Sequence, residues 1–405
     1  MLAQVVSADV VTTQVVAAGD AAPAALNNDV APSRPGLIRR LWGAIYRGAT
    51  WLFGVVSLVF GLAIVASIPI AQFASLGYLL EVCGRVARTG RVRSGWIGID
   101  KGARLGSIGF GLILLLAPLR LLASLASPAR LIDTGGSRDR LLTGLLVAAA
   151  ALGVVHFFSA LWRGGRMRHF LWPAPIKTVR LLAHTVRHPL ATYVTVRDAT
   201  YDFLVSLRLP YYFWLGLRGA VGGLLWLLIP VGVIAVGRKY PVMGVVGGVL
   251  FAVVILYLPF VQGRFAAENR FGAMFEVGKA RHLFRRAPLM FVLALLLTLA
   301  LNVPLYVLKV ELIPADAAWL ACLLFVFVNW PARLFTGWAL ARGTRREKPR
   351  NFFIRQGSRL VMLALAAAYT FIVYLSQFVS WYGVDSLYAQ HPFLVPVPFF
   401  TFQSP

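Results

Sequence analysis

Acidic residues are scarce in this chain of 405: 15 Asp and Glu stand against 40 Lys and Arg, a formal net charge of +25. Charge of either sign is scarce as well, at 14%, where soluble domains carry about a quarter. With 59% hydrophobic residues and a mean hydropathy of +0.74, this composition excludes an ordinary water-soluble domain. There are two cysteines, Cys83 and Cys322, far apart and within or beside apolar stretches. They exclude a disulfide framework and a metal knuckle, and both read as packing residues.

Motifs are missing too. The chain has no Walker loop, no dinucleotide glycine fingerprint and no nucleophile elbow, so no cofactor is expected. The interiors of its long apolar runs hold no Asp or Glu, although ion-coupled transporters place carboxylates there to bind the coupling cation. That weighs against ion-coupled transport. The positive charge does not point to nucleic acid, because Lys and Arg fall between apolar runs and do not cluster with stacking aromatics. An anionic lipid surface accounts for them better.

What is present is length and apolarity. A helix needs about 20 mostly apolar residues to cross roughly 30 Å of hydrocarbon. Seven segments qualify: Gly106 to Ser127, Leu141 to Trp162, Pro210 to Val236, Pro241 to Gln262, Ala287 to Leu308, Ala317 to Leu340 and Leu360 to Val384. An eighth stretch, Trp51 to Val82, contains Pro69 and would run to about 48 Å as one straight helix. Arginines flank it on both sides, at Arg39, Arg40 and Arg47 and again at Arg85, Arg88, Arg91 and Arg93. The positive-inside rule therefore predicts a hairpin broken at Pro69 and returning near Glu81, with one tilted helix as the rival. The expected fold is an all-α polytopic membrane bundle of eight to nine crossings, N-terminus cytoplasmic and C-terminus outside, in a bacterial inner membrane. That arrangement puts 31 basic residues inside and six outside. Trp42, Trp51, Trp162, Trp172, Trp319, Trp338 and Trp381 fall near span ends, the interfacial belt position.

Residues 1–36, where Asp9, Asp20 and Asp29 interrupt every apolar run, are expected to be a disordered tail. Residues 37–384 form the membrane domain, and 385–405 an extracytoplasmic C-terminal tail. Lys177 to Leu209 and Arg264 to Arg286 alternate basic and apolar residues at near-helical spacing, which predicts helices lying in the headgroup layer against anionic phospholipid or a membrane partner protein. Gly219 and Gly223 on one span, with Gly244 and Gly248 on the next, predict an antiparallel pair packed through these faces.

Three basic residues fall inside spans: Arg120, Arg218 and Arg333. Each lies close enough to a span end to snorkel, and each is a candidate for lipid or substrate contact. A transporter would need a polar cavity around Arg218, Asn302, Asn329 and Gln377. A lipid enzyme would need His184, His188, Asp198 and Asp202 to converge, across a break expected at Pro189. His156 reads as a packing residue. No catalytic residue and no metal ligand set is assigned.

The run Gly77-Tyr78-Leu79-Leu80, with Arg85 and Arg88 and then Trp96, Asp100, Lys101 and Gly102, resembles an uncharacterised family of prokaryotic polytopic membrane proteins. Asn269-Arg270-Phe271-Gly272-Ala273-Met274-Phe275, leading through Arg285 and Arg286 into a span, is similar to that family's second basic element. The resemblance implies a membrane location and a helical fold. It implies no activity, since the family has none established.

Overall fold

The structure, a computed structural model, describes residues 37–132, 134–307, 318–379, 387 and 393–394. The tail expected over 1–36 lies outside these, as does most of 385–405. The chain divides into two compact units, Met1–Arg47 and Gly48–Pro405. Of the first, the described part is the start of one helix; the rest concerns the second.

The described residues are 88% helical and contain no strand. In chain order the helices are α1 (Leu37–Ser67), α2 (Gln72–Thr89), α3 (Ile99–Ile132), α4 (Ser137–Trp162), α5 (Met167–Leu171), α6 (Pro175–Arg187), α7 (Pro189–Ser206), α8 (Leu209–Val236), α9 (Pro241–Glu268), α10 (Val277–Arg286), α11 (Pro288–Ala300), α12 (Val303–Val307), α13 (Ala318–Arg345) and α14 (Phe352–Val379). Short 3-10 turns, Val92–Gly95 and Phe271–Phe275, follow α2 and α9. Eight segments are long and apolar enough to cross a membrane, which makes the chain a polytopic membrane bundle.

Proline sets much of this punctuation. It occupies the first turn of α6, α7, α8, α9 and α11, where its missing N–H costs nothing. Inside α3, α8, α9 and α13 proline is carried without a break, as spanning helices allow. The long stretch does break at Pro69, with Ile70 in the left-handed region at φ 70°. The helix resuming at Gln72 runs on to Thr89 and does not end near Glu81. Because α2 carries Glu81, Arg85 and Arg88, it falls outside the eight apolar segments, yet it has most of its residues buried. Other bounds shift for similar reasons: α9 continues past Gln262 to Glu268, α14 begins at Phe352, and the segment from Ala287 is interrupted after Ala300.

The hub of the bundle is α2. It runs antiparallel to α8, crossing where Gly77 meets Tyr212 and Gly216 meets Phe73. A Cβ at Gly77 would lie 1.7 Å from the Tyr212 carbonyl oxygen, and one at Gly216 1.8 Å from that of Phe73. It runs parallel to α13, with Cys83 against Gly337 and the Thr89 carbonyl accepting from Arg345. Its C-terminal half meets α9, with Gly84 against Ala266. Small residues here let backbones approach, as van der Waals packing in lipid requires. By contrast, α3 and α4 pair with each other and leave their apolar faces outward: none of the α4 spanning window is buried.

The expected α8–α9 antiparallel pair forms, and the four glycines divide between that seam and neighbouring helices. Gly244 meets Gly237 at the turn and Gly247 meets Ile234, whereas Gly219 faces Leu80 of α2 and Gly248 faces Thr370 of α14. Gly223 faces Gln262 of α9 together with Leu394 and the Phe393 carbonyl. The three described C-terminal residues, Leu387, Phe393 and Leu394, are buried in the largest core cluster with side chains of α8, α9, α11 and α14. They lie inside the bundle, where three large apolar side chains are buried close to the α8–α9 seam.

Candidate functional site

One end of the bundle gathers the basic residues. The C-terminal ends of α2, α9 and α13 and the N-terminal end of α8 meet there, joined through side chains. On α2, Glu81 is 5% exposed and accepts from Arg85 Nε at 3.2 Å, Arg88 Nη2 at 2.7 Å and the Tyr211 hydroxyl at 2.9 Å. Arg88 also donates to the carbonyls of Ala266 and Ala267, both at 3.0 Å, and so ties α2 to α9. A carboxylate therefore does stand inside the bundle, on a helix outside the eight apolar segments. Apolar length puts Glu81 at the end of a crossing, whereas it is in the middle of α2.

A second network caps α9. Arg264, 5% exposed, donates to Glu268 at 2.5 Å and Glu276 at 2.7 Å, and Arg270 and Lys279 reach the same carboxylates at 2.5–3.1 Å. Hydrogen bonds from Arg264, Arg270 and Lys279, in that order of effect, hold the Glu276 carboxyl down at about 2. Arg218 donates to Asn269 Oδ1 at 2.7 Å and lies over the rings of Trp214 and Phe265.

The two elements are copies of one unit. Residues 78–92 and 257–271, 179 positions apart, share Tyr78/Tyr257, Leu79/Leu258, Val82/Val261, Gly84/Gly263, Arg85/Arg264, Ala87/Ala266 and Arg91/Arg270, seven of fifteen. The backbone repeats as well. Each helix ends on a left-handed residue, Gly90 at φ 66° and Asn269 at φ 50°. An extended arginine follows, at φ −111° and −122°, and then a 3-10 turn. Sequence reasoning missed this, although an internal comparison at fixed offset is the signal that finds it.

Polar residues in the bundle interior satisfy one another. Arg333, 3% exposed, donates to Gln262 Oε1 at 3.0 Å, and Gln262 donates to the carbonyls of Phe393 at 2.9 Å and Gly219 at 3.3 Å. Arg333 is therefore embedded and does not snorkel. Asn302 and Asn329 bond each other at 3.1 Å, beside Thr298 and Thr336 at 3.5 Å. The four residues expected to line one cavity are thus apart in role: Arg218 is engaged at the basic end, the two asparagines pair, and Gln377 is buried without a described partner. Arg120 is exposed on α3.

The basic segments do form helices, broken at His188 ahead of Pro189. No residue of α6 is buried, while α7 is held to the basic end by Lys101, which donates to the Ser206 carbonyl at 2.5 Å, and by Arg104 over Phe203. His184 and His188 face each other with ring centroids 5.3 Å apart, and Asp198 pairs with Arg197. Among the described residues no group of three His, Cys, Asp or Glu is placed to hold a metal. His156 donates through Nε2–H to the Phe170 carbonyl at 2.9 Å, beside an apolar cavity of about 120 Å³ between α3 and α4.

A second cavity, of about 170 Å³, opens at the basic end between the start of α11 and the end of α13. Arg342, Arg346 and Arg350 line it with Trp338, Pro288 and Leu289. No family model matches the chain, and neither a curated protein nor a solved structure matches it.

Proposed function

We propose that this chain is a non-enzymatic protein of a bacterial cytoplasmic membrane, which presents its basic end, on the cytoplasmic side, to anionic lipid or a partner protein. The N-terminus is then cytoplasmic and the C-terminal end of α14 extracytoplasmic. The observation that carries this reading is a division among the arginines. Arg85, Arg88, Arg264 and Arg270 are committed to internal carboxylates, whereas α6 carries basic residues outward beside the exposed apolar Val179, Leu182 and Val186. A helix of that kind buries its apolar face in the headgroup layer and sets its cations against phosphates.

Single cysteines in intact cells test the sidedness. Cysteine at Ile70, 67% exposed at the hairpin turn, is expected to label from outside, and cysteines at Arg93, His184 and Lys279 only after permeabilisation. Labelling of Arg93 from outside overturns the assignment. Binding of the purified chain to vesicles with and without anionic lipid tests the function.

The alternative, a permease or lipid-handling transporter, draws support from the repeat, since several transporter folds are built from parallel repeats. Substrate flux in proteoliposomes separates the two.

A further inference from the structure

We infer that the cleft between α11 and α13 is a headgroup site for an anionic phospholipid whose headgroup carries at least two negative charges, either a phosphomonoester or a pair of phosphodiesters. The inference rests on the lipid-facing assignment of the basic end.

Three observations converge on it. The first is charge without a counter-charge. Arg342, Arg346 and Arg350 line the cavity, and no acidic residue does. Unlike Arg85, Arg88, Arg264 and Arg270 of the two repeated elements, these three make no side-chain hydrogen bond or ion pair among the described residues; Arg342 rests over the Trp338 ring at 5.1 Å. Three guanidiniums left to repel one another at close quarters are stabilised by an anion, and the fork of each matches phosphate oxygens. A phosphodiester carries one negative charge and leaves two guanidiniums unmatched, whereas a phosphomonoester brings about −1.5 to −2.

The second is how the cleft is held. Arg342 and Arg346 come from the end of α13 and the residue after it, one turn apart. Arg350 is fixed in the connection to α14, where its backbone N–H donates to the Arg285 carbonyl at 3.0 Å. The opposite wall is the first turn of α11, the positive end of that helix dipole. The cations are thus carried on anchored backbone.

The third is size and setting, which separate a lipid from a soluble phosphate compound. A cavity of about 170 Å³ is smaller than the roughly 300–1,000 Å³ that enclose a drug-sized ligand, so it takes one or two headgroup phosphates and little more. Its apolar wall lies where a spanning segment begins, at Pro288. Leu289 is 54% exposed beside it, and Phe335 meets Trp338 one turn deeper on α13 at 6.1 Å. Acyl chains leaving the cleft have an apolar surface to follow.

The test uses the full chain, purified and reconstituted, and measures retention of phosphatidic acid, diphosphatidylglycerol, phosphatidylglycerol and phosphatidylcholine by native mass spectrometry. At roughly fivefold per basic residue, the triple variant Arg342→Gln/Arg346→Gln/Arg350→Gln is expected to weaken binding of the first two lipids on the order of a hundredfold, and phosphatidylglycerol much less. The control variant Lys279→Gln/Arg281→Gln/Arg285→Gln removes three charges from α10 at the same end. It is expected to lower binding of all anionic lipids alike and to keep the preference. The triple Lys variant of the cleft retains charge and guards against loss by misfolding; it is expected to bind more weakly than the native chain and more tightly than the Gln variant. Equal losses in the two Gln variants overturn the cleft and leave the lipid-facing reading intact. No preference for anionic lipid in the native chain overturns both. Displacement of the lipid by inorganic phosphate at comparable concentration overturns the phospholipid assignment in favour of a soluble phosphate.

Discussion

Replacing Glu81 by Gln removes the charge on which α2, α8 and α9 converge while keeping the side-chain volume. The magnitude follows from exposure. The carboxylate is 6% exposed, but Arg85 and Arg88 are 39% and 42% exposed. Breaking a fully buried pair costs about 3–5 kcal/mol, and an exposed pair is worth about 0–1. Both arginines can regain water or lipid phosphate, and Arg88 keeps its two carbonyl acceptors on α9, so the cost falls between these limits, at about 2 kcal/mol. Glu81→Ala adds a void and strands the Tyr211 hydroxyl, for about 3 kcal/mol. The assay is thermal unfolding in detergent followed by size-exclusion chromatography. The comparator is Asp198→Asn, whose pair with Arg197 is exposed at 57% and 58%, with an expected change within about 0.5 kcal/mol. Combining Glu81→Gln with Arg88→Met is expected to cost less than the sum, because one interaction is being removed twice. If Glu81→Gln and Asp198→Asn unfold alike, the carboxylate does not hold the three helices together and the assignment of α2 as hub fails.

Gly77→Val is expected to abolish the folded chain, since its first side-chain atom would meet the Tyr212 carbonyl carbon and oxygen within 2.6 Å and backbone cannot yield as a side chain can; recovery of monodisperse protein at native yield would refute this. Glu276 has its carboxyl lowered from 4.5 to about 2, so the stability it contributes is fully present above 4.5 and is lost as pH falls through that window; Glu276→Gln is expected to flatten this part of an acid-unfolding curve. Cys83 and Cys322 are 0% and 1% exposed, so a membrane-permeant maleimide is expected to label neither in the native chain and both in denaturant, leaving the native sequence a silent background for cysteine scanning.

The span count, the break at Pro69 and the helix break before Pro189 were legible in the sequence, because hydropathy over 20 residues and the chemistry of proline are local. What each span packs against was not. In lipid a face toward protein and a face toward acyl chains are both apolar, so Gly219 and Gly248 gave no sign that their partners were α2 and α14 instead of each other. The burial of Glu81 was hidden for a related reason: polar residues on α2 lower its hydropathy to that of a surface helix, and the groups bonded by Glu81 and Arg88, namely Tyr211, Ala266 and Ala267, lie 130 to 179 residues away. Arg218 and Arg333 were singled out as charges in hydrocarbon, but the side chains that receive them, Asn269 and Gln262, belong to another helix and its cap. Arg342, Arg346 and Arg350 stand in the sequence as basic residues between two apolar runs; that they stand unpaired against the first turn of α11 is a tertiary fact.

The repeated unit has a consequence for how the chain must be threaded. Arg88, next to the turn of the first copy, bonds the carbonyls of Ala266 and Ala267, next to the turn of the second, so both turns stand at one end of the bundle. A chain that leaves one surface and comes back to it has crossed an even number of times, and between Gly90 and Asn269 the long helices number four: α3, α4, α8 and α9. Parity therefore binds these helices together without any counting of charges. Excising the α3–α4 hairpin removes two crossings and leaves every later loop on its own side, whereas excising either helix alone inverts everything that follows.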